Sequence, residues 1–355
     1  MISIISCNNI YIWLQKNLNN KRVVMIDVRK LISFGKGSYI ISMPKSWIEK
    51  NNLKKGDLIS VDDEGFELVL KANGEDKKTD SREINIEAKG KTIEMLKTEI
   101  VSSYLNGYDT ISIQFDANDR EVPKIKDILR NLSGLEIMEQ TSTRLVAKNL
   151  ININEISISH IVRRMDIIAR AMMQDAALCS RGQCTYDNIH SRDSDVNRLY
   201  YLGYRVIKNA LKNPRVAKAI GQEPWQLHID SFILKRIERI ADKQKRIARF
   251  LHSAELDRET LNELDRIYTD IIESYNDVMK SYYNRDRELA FRIEISNKTR
   301  AESCNRFLEK YMQTHAKAKS KAANDDLVSV ARIVENLKAT TVEIRDLARN
   351  VLCYE

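Results

Sequence analysis

No glycine follows Gly221 and no proline follows Pro224, so residues 225–355 of this chain contain neither of the two strongest helix breakers. A run of that length folds most simply as a few long helices, and the apolar spacing agrees. Leu327, Val330, Val334, Leu337, Ile344, Ala348 and Val351 keep a three-four rhythm interrupted only at Thr341. Ile229, Ile233, Ile237, Ile240 and Ile247 do the same, as do Ile161, Met165, Ile168 and Met172. With segments around Val196–Val206, Leu261–Val278 and Arg285–Tyr311, the pattern predicts six amphipathic helices beyond Asn154. Helices of this kind bury their apolar stripes as bundles. "IERIADKQKRIARFL" (Ile237–Leu251) and "VENLKATTVEIRDLARNVL" (Val334–Leu352) each close a three-helix set, with a Glu early and an Ile/Leu-Ala pair late. The expectation is two tandem three-helix bundles, residues 154–253 and 257–355.

The rest of the chain is different. At 355 residues it is long enough for two or three domains. Its 43% hydrophobic and 30% charged content is that of a soluble globular protein, and no run approaches the roughly 20 apolar residues needed to span a bilayer. Membrane insertion is not expected. Five scattered cysteines (Cys7, Cys179, Cys184, Cys304, Cys353) form no CxxC pair and fit a reducing, cytoplasmic setting. The opening residues lack the charged start and small-residue cleavage site of a signal peptide. Residues 1–24 read as an extension, untranslated or disordered, with Met25 an alternative start.

The net charge of +8 is concentrated in one place. Between Lys21 and Gly56, nine Lys/Arg face only Asp27 and Glu49, a surplus of +7. Such a cluster is the footprint of phosphate-backbone contact, with a solvated basic face as the plainer alternative. The local pattern is more specific than the charge. An alternating run through Leu31 meets a Gly35-Lys36-Gly37 turn and returns as "SYIISM". Pro44 opens a short helix, "PKSWIEKNNL", stopped at Lys55-Gly56-Asp57, and "LISV" and "FELVL" form a second hairpin. This ββαββ unit is too small for a robust core of its own, so association with another copy is a natural way to bury surface.

The order of strand, Gly turn, strand, Pro-Lys helix, Leu-x-x-Gly-Asp turn and strand, carried by Gly35/Gly37, Pro44-Lys45, Leu53 and Gly56-Asp57, resembles the swapped-hairpin domain of AbrB/SpoVT and related antitoxins. The resemblance assigns residues 25–72 to a DNA-binding head. It implies that two chains interleave their hairpins into one β-barrel and that basic residues of the first hairpin meet DNA. The positions that inherit this role are Arg29, Lys30, Lys36 and Lys45.

Residues 83–150 read as a small αβαββ module: a helix around Ile93, Leu96, Ile100 and Tyr104 stopped at Gly107, a strand "DTISIQF", a Pro-led helix "VPKIKDILRNL" and a closing hairpin. It holds no phosphate loop and no His/Cys cluster, so a linker or dimerisation role is expected. No HExxH, GxSxG or P-loop occurs anywhere, and no catalytic residue is proposed. The protein is not expected to be an enzyme.

In the helical part, "ERIAD" (Glu238–Asp242) and "DSDVNRLYYL" (Asp193–Leu202) resemble the PhoU family, whose repeats carry carboxylates spaced i,i+4 on helices. "SSYLNGYDTI" is similar to archaeal proteins that join an AbrB-like domain to a PhoU domain. Glu238 and Asp242 share a helix face and could hold a divalent or iron-type metal through oxygen; the resemblance adds Asp193 and, in the second repeat, Glu335. Asn197 and Ala339 stand where the family pattern has further carboxylates. The alternative is that Glu238 and Asp242 are solvated acids balanced by Lys235, Arg236, Arg239 and Lys243.

The expected class is therefore multidomain α+β: a swapped-hairpin β-barrel head, a small αβ middle module and an all-α pair of three-helix bundles. The resemblances imply a phosphate-responsive transcription regulator that binds DNA as a homodimer, with the bundle as sensor or docking domain for a transporter ATPase or sensor protein. The competing expectation is an adaptor without DNA affinity that docks on a phosphate-transport complex. A carboxylate-bridged metalloenzyme is a third.

Overall fold

The protein is described by a computed structural model covering residues 28–35, 37–63, 68–72, 81–117, 120–184, 186–315 and 321–354. It divides into two compact units, Met1–Asp80 and Ser81–Glu355. In the first, β1 (Ile32–Phe34) and β2 (Ser38–Ile40) form an antiparallel hairpin with Ile32 opposite Ile40. The turn starts at Gly35, whose φ of +68° suits a residue without a Cβ. Helix α1 (Lys45–Lys50) follows, with Pro44 one position earlier than expected, as the cap residue. β3 (Ile59–Asp63) and β4 (Leu68–Ala72) make the second hairpin, with Val61 facing Leu70. The ββαββ order is as the sequence predicts.

The second unit begins with a strand that the sequence reading did not assign. β5 (Glu83–Glu87) precedes α2 (Ile93–Leu105), β6 (Thr110–Gln114), α3 (Val122–Arg130), β7 (Leu135–Gln140) and β8 (Arg144–Asn149). The module is therefore βαβαββ rather than αβαββ, with strand order β5-β6-β8-β7 and a parallel β5–β6 pair. Ile84 and Ile86 alternate with Glu83, Asn85 and Glu87, so β5 has the period-two pattern of a strand with one face covered. Leu96, Ile100 and Tyr104 of α2 and Ile125 and Leu129 of α3 cover that face and complete the core with Ile86, Ile111, Ile113 and Leu145. The Tyr104 hydroxyl donates to the Ser133 carbonyl at 2.8 Å, and burial pushes its pKa up to about 12.

The six long helices are α4 (Ile158–Ser180), α5 (Tyr186–Lys212), α7 (Pro224–Ser253), α8 (Arg258–Asn284), α9 (Arg287–His315) and α10 (Lys321–Leu352), with a short α6 (Pro214–Ala219) in between. Two of their starts are capped by side chains: Ser157 Oγ accepts from the His160 amide and Asp257 Oδ1 from the Thr260 amide, at 3.3 and 2.8 Å. Helices α4, α5 and α7 pack together, as do α8, α9 and α10. The two sets meet along α7–α10 and α4–α8 around one continuous apolar core. That seam also carries a buried polar lock, in which Gln244 donates to Thr340 Oγ1 at 3.3 Å and accepts from the Tyr268 hydroxyl. Leaving any member of such a lock unpaired is costly, so it favours one relative placement of the bundles.

The αβ module and the bundle share the second unit through Arg205 of α5. Its side chain is buried, and Nη1 donates to the Tyr104 and Tyr108 carbonyls at 2.5 and 3.0 Å. Gly203, two residues earlier, lets α5 approach its neighbours: a Cβ there would lie 2.7 Å from Leu234 Cδ1 and 3.4 Å from Ile161 Cγ2.

The cysteines correct an expectation. Cys179 and Cys184 are joined in a disulfide rather than both reduced, because the turn after α4 folds back and brings their Cα atoms to 4.0 Å. The Gly182 and Gln183 amides donate to Cys179 and Leu178 carbonyls in that turn. Cys304 is buried and Cys353 exposed, both as free thiols. Among the described residues no helix is long and apolar enough to cross a membrane.

Candidate functional site

Two places were expected to carry function, and the structure treats them differently. In the first unit, Arg29 and Lys30 lie in the exposed extended segment leading into β1. Lys45 opens α1, with its ammonium 3.6 Å from Glu49 Oε1 and nine-tenths of its side chain exposed. Such an exposed pair contributes little stability and leaves the lysine available. Lys36 falls outside the described residues. Asp57 ties down the turn after α1 by accepting from the Lys54 amide at 2.6 Å, which leaves Lys54 and Lys55 as exposed turn residues.

Many large apolar side chains of this unit face solvent. Phe34 and Tyr39 are 65% and 68% exposed, and Ile32, Ile40, Ile41, Leu58, Val61 and Leu68 are exposed as well. None of the side chains described in this unit is buried. Two hairpins that expose their β-branched and aromatic residues in this way form an incomplete layer, which requires a further surface to cover it.

The second place is the carboxylate set in the helical part. Asp193 on α5 is almost fully buried, and Lys245 Nζ on α7 donates to its Oδ2 at 2.6 Å. The same ammonium lies 3.6 Å from Asp242 Oδ1, and Arg246 takes the other oxygen of Asp242 at 2.8 Å. Asn197 Nδ2 donates to Asp193 Oδ2 at 3.3 Å. Glu238 is held by Lys235 at 2.7 Å, and Glu335 by Arg332 at 3.0 Å on the exposed side of α10. The structure thus brings Asp193 and Asp242 together but around an ammonium. Among the described residues there is no group of three or more His, Cys, Asp or Glu side chains placed to share an ion. In this arrangement Lys245 supplies the positive charge between Asp193 and Asp242, and Asn197 adds an N–H donor on Asp193.

The nearby tyrosines feel these acids. Tyr200 is pushed up to about 12 by burial and then by the Glu238 charge, and Lys235 Nζ lies 4.7 Å from its ring centroid. Tyr201 shifts upward for the same reasons, with Asp193 adding to Glu238.

Sequence reasoning missed a stronger ionic cluster on the bundle seam. Arg236 of α7 contacts Glu343 and Asp346 of α10 at 2.7 and 3.1 Å, and Arg239 reaches Glu343 at 3.6 Å. The signal was present as two i,i+3 pairs, Arg236/Arg239 and Glu343/Asp346, on the helices that close the two repeats. Their pairing needs the packing of the two repeats to be visible.

With this geometry in view, residues 32–78 match the family of "Antidote-toxin recognition MazE, bacterial antitoxin". The helical part is similar in structure to PhoU from Pseudomonas aeruginosa, at 15% identity and a TM-score of 0.46, over 55% of this chain and 93% of the PhoU chain. No curated protein matches the chain. The match at residues 32–78 spans the same strand, turn, helix and hairpin order that resembles the AbrB/SpoVT domain, with Lys45, Lys50, Lys54 and Lys55 exposed.

Proposed function

We propose that this protein is a cytoplasmic, phosphate-responsive transcription regulator that binds DNA as a homodimer through the basic head, with the helical bundles receiving the signal or docking a partner. The observation that carries the DNA-binding half is the head itself. Its first hairpin and helix lie in the Lys21–Gly56 stretch that carries a surplus of +7, it matches an antitoxin family and, in a single copy, it buries none of its described side chains. A second copy interleaving its hairpins would cover the apolar layer and double the basic surface in one step. The phosphate assignment rests on the PhoU-like motifs at Asp193–Leu202 and Glu238–Asp242 and on the tandem three-helix repeat. In the first repeat Lys245 lies between Asp193 and Asp242, and Arg246 pairs with the second of them.

The test is a titration of the full chain into fluorescent duplex DNA at several salt concentrations, beside Arg29→Ala/Lys30→Ala. Log affinity falls with log salt by roughly 0.9 per neutralised phosphate, so the double variant should lower the slope by about two per bound head. Weak binding without salt dependence would sink the regulator reading and leave the adaptor that docks on a transport complex.

A further inference from the structure

The bundle seam contains a groove that neither the head nor the carboxylate set uses. It lies between α4 and α8, the first helices of the two repeats, and has a volume of about 570 Å³. Its floor is Asp166, a buried carboxylate whose charge is already answered: Arg170 Nε donates to Oδ1 at 2.8 Å and the Tyr283 hydroxyl to Oδ2 at 2.9 Å. Arg170 Nη1 reaches across to Asn276 Oδ1 at 2.6 Å, so the guanidinium is held in place by both repeats. Nη2 of the same guanidinium makes no hydrogen bond among the described residues.

Two further cations stand at the rim without a carboxylate partner among the described residues. Arg163 sits over the Tyr283 ring, 5.6 Å from its centroid, and Lys280 extends from the α8 wall. Asp277 is the opposing charge on the rim, so with Arg170 paired to Asp166 two cations face one carboxylate around the opening, and the Nη2 donor of Arg170 adds a free hydrogen-bonding group. We propose that this groove binds a small diphosphate-class anion, held between Arg163, Arg170 and Lys280 across the seam of the two repeats.

Three features select that class. A guanidinium presents a planar fork that matches two phosphoryl oxygens, and here one arginine is held by hydrogen bonds while the other is exposed at the rim. The volume falls within the usual range of small-molecule sites and exceeds what a single phosphate would fill. The cations come from both repeats, so a ligand with more than one anionic group gains contacts that a monoanion cannot make. Binding would tie α4 to α8 and so bias the relative packing of the repeats, which gives the bundle a way to register a signal. The site rests on the reading of the bundle as the signal-receiving part only for its purpose; its chemistry stands on the groove.

The experiment is calorimetric titration of the full chain with pyrophosphate, inorganic phosphate and ADP, each in sodium chloride adjusted to constant ionic strength. Pyrophosphate should bind once per chain and more tightly than phosphate. Arg163→Gln/Lys280→Gln should weaken it at least tenfold, and Asp277→Asn should tighten it two- to fivefold. Neither rim cation makes a hydrogen bond or ion pair among the described residues, so the double variant should fold, as its circular dichroism will report. Tighter binding of ADP than of pyrophosphate assigns the diphosphate to a nucleotide, and the reverse assigns it to the free anion. No binding of either diphosphate above the salt control overturns the proposal, as does an affinity unchanged in both variants. Arg29→Ala/Lys30→Ala should keep full pyrophosphate affinity, so loss of DNA binding and loss of the groove are separable results.

Discussion

At the scale of single residues, the bundle shows how one substitution in a pattern changes its chemistry. Lys245 stands between Asp193 and Asp242, and Asn197 adds a donor on the same carboxylate. Removing the ammonium by Lys245→Met leaves a nearly buried Asp193 with only an amide for company. The cost of orphaning a buried charge, discounted because Lys245 is about a quarter exposed, is about 2 kcal/mol. Urea unfolding at neutral pH should show this loss, and Asp193→Asn in the same background should recover part of it. Equal stability of Lys245→Met and wild type would refute the role of the ammonium. A second residue carries the pH response. Asp230 of α7 is buried, accepts from the Tyr282 and Tyr354 hydroxyls, and has a raised pKa, chiefly because burial disfavours its charged form. Those two hydrogen bonds and the Arg285 charge pull the other way without cancelling it. The folded state therefore holds the proton more tightly than the unfolded chain does. Its contribution is fully present below the ordinary value of 3.8 and is lost as pH rises through the higher folded value. Asp230→Asn should flatten the stability profile across that window, and a profile identical to wild type would show that Asp230 does not titrate there.

At the scale of elements, the helices were legible in the sequence and the way they meet was not. Long stripes such as Ile229–Ile247 and Leu327–Val351 and the absence of breakers are local signals, so the six long helices and their two sets follow directly. Strand β5 was missed although Ile84 and Ile86 alternate cleanly, because five residues bounded by charges carry little weight until β6 pairs with them. The Arg236–Glu343 cluster and the Gln244 lock were invisible for the same reason: each joins residues about a hundred positions apart. Asp193 and Asp242 were legible as residue types, but the sequence could not show that Lys245 folds between them. Gly203 shows the reverse case, where one residue type sets a helix crossing. Valine there would place a branched side chain against the buried Leu234 and Ile161, where even a Cβ would lie only 2.7 Å from Leu234. Despite better helix propensity, Gly203→Val should lower stability by about 1–3 kcal/mol, read as a lower denaturation midpoint with unchanged slope. A rise in stability would mean that α5 can move away from α4 and α7 at little cost.

At the scale of the whole molecule, the two units solve the problem of burial in opposite ways. The second unit has two continuous cores, one under the sheet and one through the bundles, and needs nothing more to cover them. The head has the sequence order of a structured domain and the exposure of a half-built one, since Ile32, Phe34, Tyr39, Val61 and other large apolar residues remain in solvent in a single copy and none is fully buried. This contrast argues that the head sets the association state. Light scattering on the full chain should give twice the 41.1 kDa chain mass. Phe34→Asp/Val61→Asp places charges on both exposed hairpins, so it should shift the mass toward a single chain and remove high-affinity DNA binding together. Arg29→Ala/Lys30→Ala should weaken DNA binding while keeping the dimer mass, because those side chains add charge and no apolar surface. A dimer that survives Phe34→Asp/Val61→Asp would move the association surface to the second unit. It would also separate the dimer from the head, so that DNA affinity in this variant becomes the measure of what one head can do alone.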